Sequence, residues 1–147
     1  MNKQIALGSD HAGFELKEHI KKYLICLNYQ VCDYGTFNSQ SVDYPDIIHP
    51  LAHDINNNKF EKGIIICGSG NGVAMTANKY INVRAALCWN VKIAELARLH
   101  NDANLISLPA RFITPEDAVE IVNAFLTTEF EGGRHLIRIN KIKNLIN

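Results

Sequence analysis

The chain has 147 residues, 47% apolar and 20% charged, which suits one ordinary globular domain with a normal core. Fifteen basic residues offset fifteen acidic ones, so no global field draws nucleic acid or a membrane surface, and an anionic ligand must be caught by a local cluster. The four cysteines include no CxxC pair and no segment approaches the length of a membrane-spanning helix, which leaves out a zinc knuckle, a thioredoxin-type motif and a helical membrane anchor.

The opening MNKQIALGSDHAGF has no apolar stretch of signal-peptide length, so Cys26, Cys32, Cys67 and Cys88 are expected to be reduced thiols in the cytoplasm. Within that opening, Ile5–Asp10 is a short apolar run and predicts a buried first strand. Leu16, Ile20, Tyr23, Leu24 and Leu27 then recur at helical spacing, with lysines and glutamates between them. YQVCDYG predicts a second strand stopping at Gly35, and Pro45 opens a helix running to about Ile55. KGIIIC is the third strand, after which GSGNG leads into a helix over Val73–Lys79. VRAALC is the fourth strand, and Val91, Ala94, Leu96, Ala97 and Leu99 mark the helix behind it. ANLISL is the fifth strand. Thr114 caps a helix with Pro115 at its first position and Ala118, Ile121, Val122, Phe125 and Leu126 on its apolar face.

Strand-then-helix units with continuously apolar strands predict a doubly wound, Rossmann-like α/β fold: a three-layer sandwich around a five-stranded parallel sheet. Sites in such folds lie beyond the C-terminal ends of the strands, where this chain carries Ser9–Asp10–His11, Cys67–Gly72 and the loop before Arg111. An extra helix closes the chain in GGRHLIRINKIKNLIN, with Leu136, Ile139, Ile142 and Ile146 as an apolar stripe and Arg134, Arg138 and Lys141 together on another face. It either packs on its own domain or forms an arm, residues 132–147, that reaches a partner subunit. No linker or internal repeat divides the chain, so residues 1–147 are read as one domain.

A glycine loop between a strand and a helix presents backbone N–H groups that can hold negative charge. GSGNG is neither GxGxxG nor a Walker loop, so no dinucleotide or nucleotide fingerprint is present. Cys67 stands directly before it, in a setting that favours thiolate, and could act as a nucleophile, a metal ligand or a base. No second soft or imidazole ligand lies close in sequence to complete a metal site. Cys26, Cys32 and Cys88 read as buried, inert thiols. Asp10 and His11 follow the first strand, where their side chains would point into the crevice, and His100 ends a helix just before the fifth strand. Arg134, His135 and Arg138 could form a cage for phosphate, while His19, His49 and His53 read as surface groups.

GSDHAGF, DYPD, CGSGNG, ANK, LHNDAN and EGGRH, in this order, resemble the B-type ribose-5-phosphate isomerases, within the family that also holds galactose-6-phosphate isomerase subunits. The likeness runs from Ile5 to about Ile142. It implies interconversion of ribose 5-phosphate and ribulose 5-phosphate, a step of the pentose phosphate pathway, with neither metal nor organic cofactor. It also implies a homodimer or homotetramer whose active sites are built from two subunits. On this chain Cys67 would move the proton between C1 and C2, and Ser69 would place a hydroxyl near the reacting oxygens. The backbone amides of Gly68, Ser69, Gly70, Asn71 and Gly72 would hold the enediolate. Asp10 and His100 would open the furanose ring, and Tyr44 and Asn101 would line the sugar site. His11 and Arg111, with Arg134 and Arg138 from the partner, would receive the phosphate, and His135 adjoins them. One branch of the family uses a glutamate directly after GSGNG as its base. Val73 stands there in this chain, which therefore resembles the cysteine branch. Isomerisation of a hexose 6-phosphate such as allose or galactose 6-phosphate, or phosphate binding without chemistry, are the alternatives.

Overall fold

The structure is a computed structural model that describes residues 3–143; Ile146 of the apolar stripe lies outside them. Its elements are β1 (Gln4–Ser9), α1 (Phe14–Cys26), β2 (Gln30–Asp33), α2 (Tyr44–Asn56), β3 (Gly63–Cys67), α3 (Asn71–Ala77), β4 (Ala85–Leu87), α4 (Val91–Asn101), β5 (Leu105–Pro109), α5 (Pro115–Thr127) and α6 (Arg134–Ile142). The strands form one parallel sheet in the order β2-β1-β3-β5-β4.

Successive residues of a strand face opposite sides of a sheet, and here both sides are covered. Along β3, Ile64 and Ile66 pack with Leu16, Ile20 and Leu24 of α1, Ala94 and Ala97 of α4, and Ile121, Val122 and Phe125 of α5. Ile65 and Cys67 pack the other way, against Ile48, Leu51 and Ile55 of α2 and Val73 and Ala77 of α3. This is why the strands read as unbroken apolar runs. It also divides the helices into two layers, as the reversals of chain direction in the strand order require when crossovers share one hand. Because the helices after β1 and β3 lie on opposite faces, a crevice opens between the C-terminal ends of these neighbouring strands.

Local chemistry moves two boundaries and buries one lysine. The second strand ends at Asp33 instead of Gly35, because the Asp33 Oδ1 accepts the Gly35 N–H at 2.9 Å and turns the chain. The third helix begins at Asn71, inside GSGNG: Gly70 takes the left-handed conformation (φ +76°) at its N-cap, a shape glycine adopts without steric cost. Lys17, on a helix whose lysines read as solvent-facing, is fully buried. Its ammonium bonds the Asp33 carboxylate at 2.7 Å and Glu18 at 2.9 Å, and Lys21 reaches the same Asp33 oxygen at 2.9 Å. Thr114 caps α5 as its sequence suggests, accepting the Asp117 N–H at 3.1 Å.

The closing helix α6 packs on α4 with the face that carries His135 and Ile139. Leu136, Ile137 and Ile142 are exposed, at 48%, 63% and 61%. The stripe therefore divides: Ile139 goes into the chain's own structure, and Leu136 and Ile142 stay on its surface.

Candidate active site

Two groups of side chains have to be built separately, because the fold holds them apart. The first lies at the C-terminal ends of β1, β3 and β5. Asp10 follows β1 directly; its N–H donates to the Ile66 carbonyl at 3.2 Å and its Oδ1 accepts the Gly13 N–H at 3.1 Å, so the buried carboxylate is fixed by backbone on two sides. Next to it, the His11 Nδ1 accepts the Val42 N–H at 3.2 Å. A neutral imidazole that accepts at Nδ1 carries its proton on Nε2, which makes that nitrogen a donor. Ser9 is fully buried and its Oγ has no hydrogen-bond partner among the described residues.

Cys67 ends β3 and is 5% exposed, its Sγ accepting the Gly70 N–H at 3.2 Å. The loop behind it is rigidly seated. Ser107 Oγ donates to the Gly70 carbonyl at 2.6 Å, and Ser69 Oγ accepts both the Asn71 N–H at 3.3 Å and its Nδ2 at 3.2 Å. Pairing between β3 and β5 continues past the strands: the Ala110 N–H donates to the Cys67 carbonyl at 2.9 Å and the Arg111 N–H to the Gly68 carbonyl at 3.0 Å. These bonds lay Arg111 across the loop, where a Cβ at Gly68 would stand 3.2 Å from its Cδ and Nη1. Tyr44, the first residue of α2, covers the other side; a Cβ at Gly72 would lie 2.4 Å from its Cζ. Gly68 and Gly72 are thus sites of close approach, and Gly70 is the site of turning. A cleft of about 620 Å³ opens beside them, lined by Asp10, His11, Tyr44, Arg111 and the turn over 41–46.

The second group lies at the other end of the sheet. A crossover helix runs back against its strands, so α4 ends, with His100 and Asn101, where β5 begins. From there to the end of β5 the chain rises four residues, about 13 Å at ~3.3 Å each. His100 stacks on His135 of α6, with ring centroids 4.3 Å apart and planes within 13°. Burial of the His135 imidazole pulls its pKa down, and the neighbouring His100, Arg134 and Arg138 act in the same direction. Arg134 and Arg138 are exposed on α6. The Asn101 carbonyl accepts the Arg84 Nε–H at 3.0 Å, and Asn101 lines a groove of about 500 Å³ with Arg84, Ile142 and Lys143. So Asp10, His11, Tyr44, Cys67, Gly68–Gly72 and Arg111 come together in one chain. His100, Asn101, Arg134 and Arg138 form their own group and do not reach them.

Of the remaining thiols, Cys88 is fully buried, and burial pushes it up to about 12, as an inert cysteine requires. Cys26 departs from the expectation: it is the last residue of α1 and is exposed on the helix's outer side, while Cys32 is half-buried. Three features carry little sequence signal. Buried Lys17 looks like any helical lysine, and Ser9 like any strand-end hydroxyl. Glu131 next to His100 and His135 is foreshadowed only by the i, i+4 spacing of Glu131 and His135.

Among the described residues no helix is long and apolar enough to cross a membrane. Residues 5–142 match the family model described as Ribose/Galactose Isomerase. A crystal structure of a ribose 5-phosphate isomerase from Thermotoga maritima superposes with a TM-score of 0.94 at 48% identity, covering 97% of this chain and 99% of that one. Ribose-5-phosphate isomerase B from Mycoplasma genitalium, solved with bound ribulose-5-phosphate, gives a TM-score of 0.93 at 42% identity over 97% and 95% of the two chains. Ribose-5-phosphate isomerase B of Escherichia coli is 39% identical over 140 residues, 95% of this chain and 94% of that protein.

Proposed function

The chain belongs to the ribose/galactose isomerase family, and from that premise we propose that it interconverts D-ribose 5-phosphate and D-ribulose 5-phosphate by ring opening and proton transfer through an enediolate. The observation that carries the reading is the Cys67 sulfur, set at the end of β3 against a backbone N–H, with valine where a glutamate base would stand.

The chemistry follows from the groups available. In the furanose, Asp10 and His100 move a proton from the anomeric hydroxyl to the ring oxygen, which opens the ring to the aldehyde. The Cys67 thiolate takes the proton from C2. Electrons shift into the carbonyl to give the 1,2-enediolate, the hydroxyl proton passes from O2 to O1, and return of the carbon-bound proton at C1 gives the ketose. A proton next to a carbonyl is weakly acidic, so the main task is holding the developing negative charge. Donors fixed in advance serve best, and losing one costs about 3–4 kcal/mol. The backbone N–H groups of Gly68–Gly72, fixed by Ser107, Tyr44 and Arg111, and the Ser69 hydroxyl take that role. His11, with Nε2–H free to donate, and Arg111, Arg134 and Arg138 bind the phosphate. Tyr44 and Asn101 flank the sugar. No metal or organic cofactor takes part.

One chain separates these residues into two sets at opposite ends of its sheet. We therefore read the active enzyme as a homodimer, or a homotetramer built from such dimers, in which the strand-end set of one copy meets the helix-end set of the other. The exposed Leu136, Ile137 and Ile142 of α6 support this, because an apolar face left on the surface calls for a partner. Residues 1–147 are then read as one domain with the segment from 132 on as the arm that completes the partner's site; residues 144–147 of that arm lie outside the described residues. A phosphorylated sugar substrate and four free cysteines fit a cytoplasmic enzyme.

The test is isomerisation in D2O with the wild type and Cys67→Ala. We expect deuterium at C2 of ribose 5-phosphate and C1 of ribulose 5-phosphate with wild type, loss of turnover in a folded Cys67→Ala, and no loss of activity with EDTA. Full activity in that variant contradicts the role of Cys67. A higher kcat/KM for a hexose 6-phosphate moves the substrate within the family.

A further inference from the structure

The contact between α4 and α6 brings together three potential ligands that the isomerase chemistry does not use as a set. Glu131 Oε2 stands 3.9 Å from His100 Nε2 and 3.8 Å from His135 Nε2, and the three ligand atoms all lie within 4.8 Å of one another. Both spacings are too long for hydrogen bonds. The stacking of the two rings turns both Nε2 atoms toward the same carboxylate. His135 is 5% exposed, and its Nε2 is buried with no hydrogen-bond partner among the described residues. A buried polar atom without a partner costs stability and calls for an explanation.

We propose that His100, Glu131 and His135 form a binding site for a divalent transition-metal ion of the zinc class, and that its occupation switches the isomerase off. Two imidazoles and one carboxylate with an open fourth position suit Zn²⁺ and its neighbours, whereas Mg²⁺ and Ca²⁺ require oxygen ligands. Bonds of about 2.0–2.2 Å in tetrahedral geometry set ligand atoms roughly 3.3–3.5 Å apart. Glu131 has to close in by only a few tenths of an ångström, while the two imidazole nitrogens, up to 4.8 Å apart, have to approach by about 1.3 Å; the partly exposed His100 ring does this by turning out of the stack so that its lone pair converges with that of His135. The frame is already set: the Glu131 N–H donates to the Leu99 carbonyl at 3.1 Å, and Arg98 Nε to the Thr128 carbonyl at 3.1 Å, tying this segment to α4. Arg134 and Arg138 stand nearby and oppose a cation, so the ion binds reversibly instead of being locked in. Inhibition, unlike binding, rests on the isomerase reading, since the metal would occupy the His100 imidazole that opens the sugar ring.

The test titrates Zn²⁺ against a chromophoric chelator with the full chain as wild type, Glu131→Gln, His135→Asn and Cys67→Ser, and records the Co²⁺ spectrum of each. We expect one ion per chain in wild type and Cys67→Ser, affinity weaker by at least about tenfold in the other two, and no thiolate-to-cobalt charge-transfer band. Equal affinity in Glu131→Gln, or binding that Cys67→Ser abolishes, overturns the site. Should His135→Asn fail to fold, Glu131→Gln decides alone, because its side chain is half exposed and supports no packing. In the isomerase assay Zn²⁺ should inhibit wild type and spare Glu131→Gln; equal inhibition of both overturns the switch. A wild type that is inactive without zinc counts against the isomerase reading and leaves the titration to decide the metal site.

Discussion

Tyr44 rests so closely on Gly72 that, with the ring in place, a Cβ would stand 2.4 Å from its Cζ and 2.7 Å from the hydroxyl oxygen. The ring is the outer end of an exposed side chain and can swing away, so Gly72→Ala should fold with little change in Tm. Its cost should fall on substrate binding, with KM raised roughly tenfold, equivalent to about 1.4 kcal/mol. A Tm lowered by many degrees with KM unchanged would show that Gly72 serves the fold instead. Gly13→Ala is the contrasting case, since its Cβ would strike the backbone of Ile66 at 2.9 Å, and backbone cannot swing aside. At this scale CGSGNG and Val73 mark candidate chemistry in the sequence, and the structure sets Cys67 and its loop beside Asp10, His11, Tyr44 and Arg111. Their preorganisation is not legible. The Val42 N–H that sets the His11 tautomer comes from a residue 31 positions away, and no local pattern encodes it.

At the scale of elements, α1 is tied to the end of β2 by charge as well as by apolar packing. Burial alone would raise the Asp33 pKa, but hydrogen bonds from Lys17, Lys21 and the Gly35 N–H outweigh it and hold the carboxyl below its ordinary value. A carboxyl whose pKa is lower folded than unfolded contributes stability above its unfolded pKa, and this is lost as pH falls through the folded one. Asp54 adds to the same trend, held at about 2 by hydrogen bonds from Lys59 and Tyr34. Stability should therefore decline from the ordinary carboxylate range downward. Asp33→Asn leaves the Lys17 ammonium buried with one partner fewer, and should cost about 3–5 kcal/mol near neutral pH while flattening the acid limb. Chemical denaturation from pH 7 to pH 3 measures both, and an unchanged acid limb in the variant would remove Asp33 from the explanation. Helix and strand positions are legible from apolar periodicity, but the same periodicity sends Lys17 to solvent. Its true place depends on a carboxylate 16 residues on, which is tertiary information.

At the scale of the whole molecule, the decisive fact is the direction of α4. A helix that ends just before the fifth strand must end at the edge of the sheet opposite Cys67. That much is legible from element order, and it is what separates His100 and Asn101 from Asp10 and Tyr44. What element order does not contain is the surface that would bring the two sets together, which the proposed reading assigns to a second copy. On that reading, the exposed apolar residues of α6 and the arginines beside them are this chain's half of it.

A mixed-subunit assay tests the two-copy site most directly. Cys67→Ala and His100→Ala chains, each inactive alone, are unfolded together in equal amounts, refolded and assayed with ribose 5-phosphate. In a mixed dimer one site takes Cys67 from one chain and His100 from the other, and is intact; the second site carries both substitutions. Random pairing makes half the dimers mixed, so activity should return to about a quarter of the wild-type value. Mixtures as inactive as the separate variants would contradict a site shared between copies.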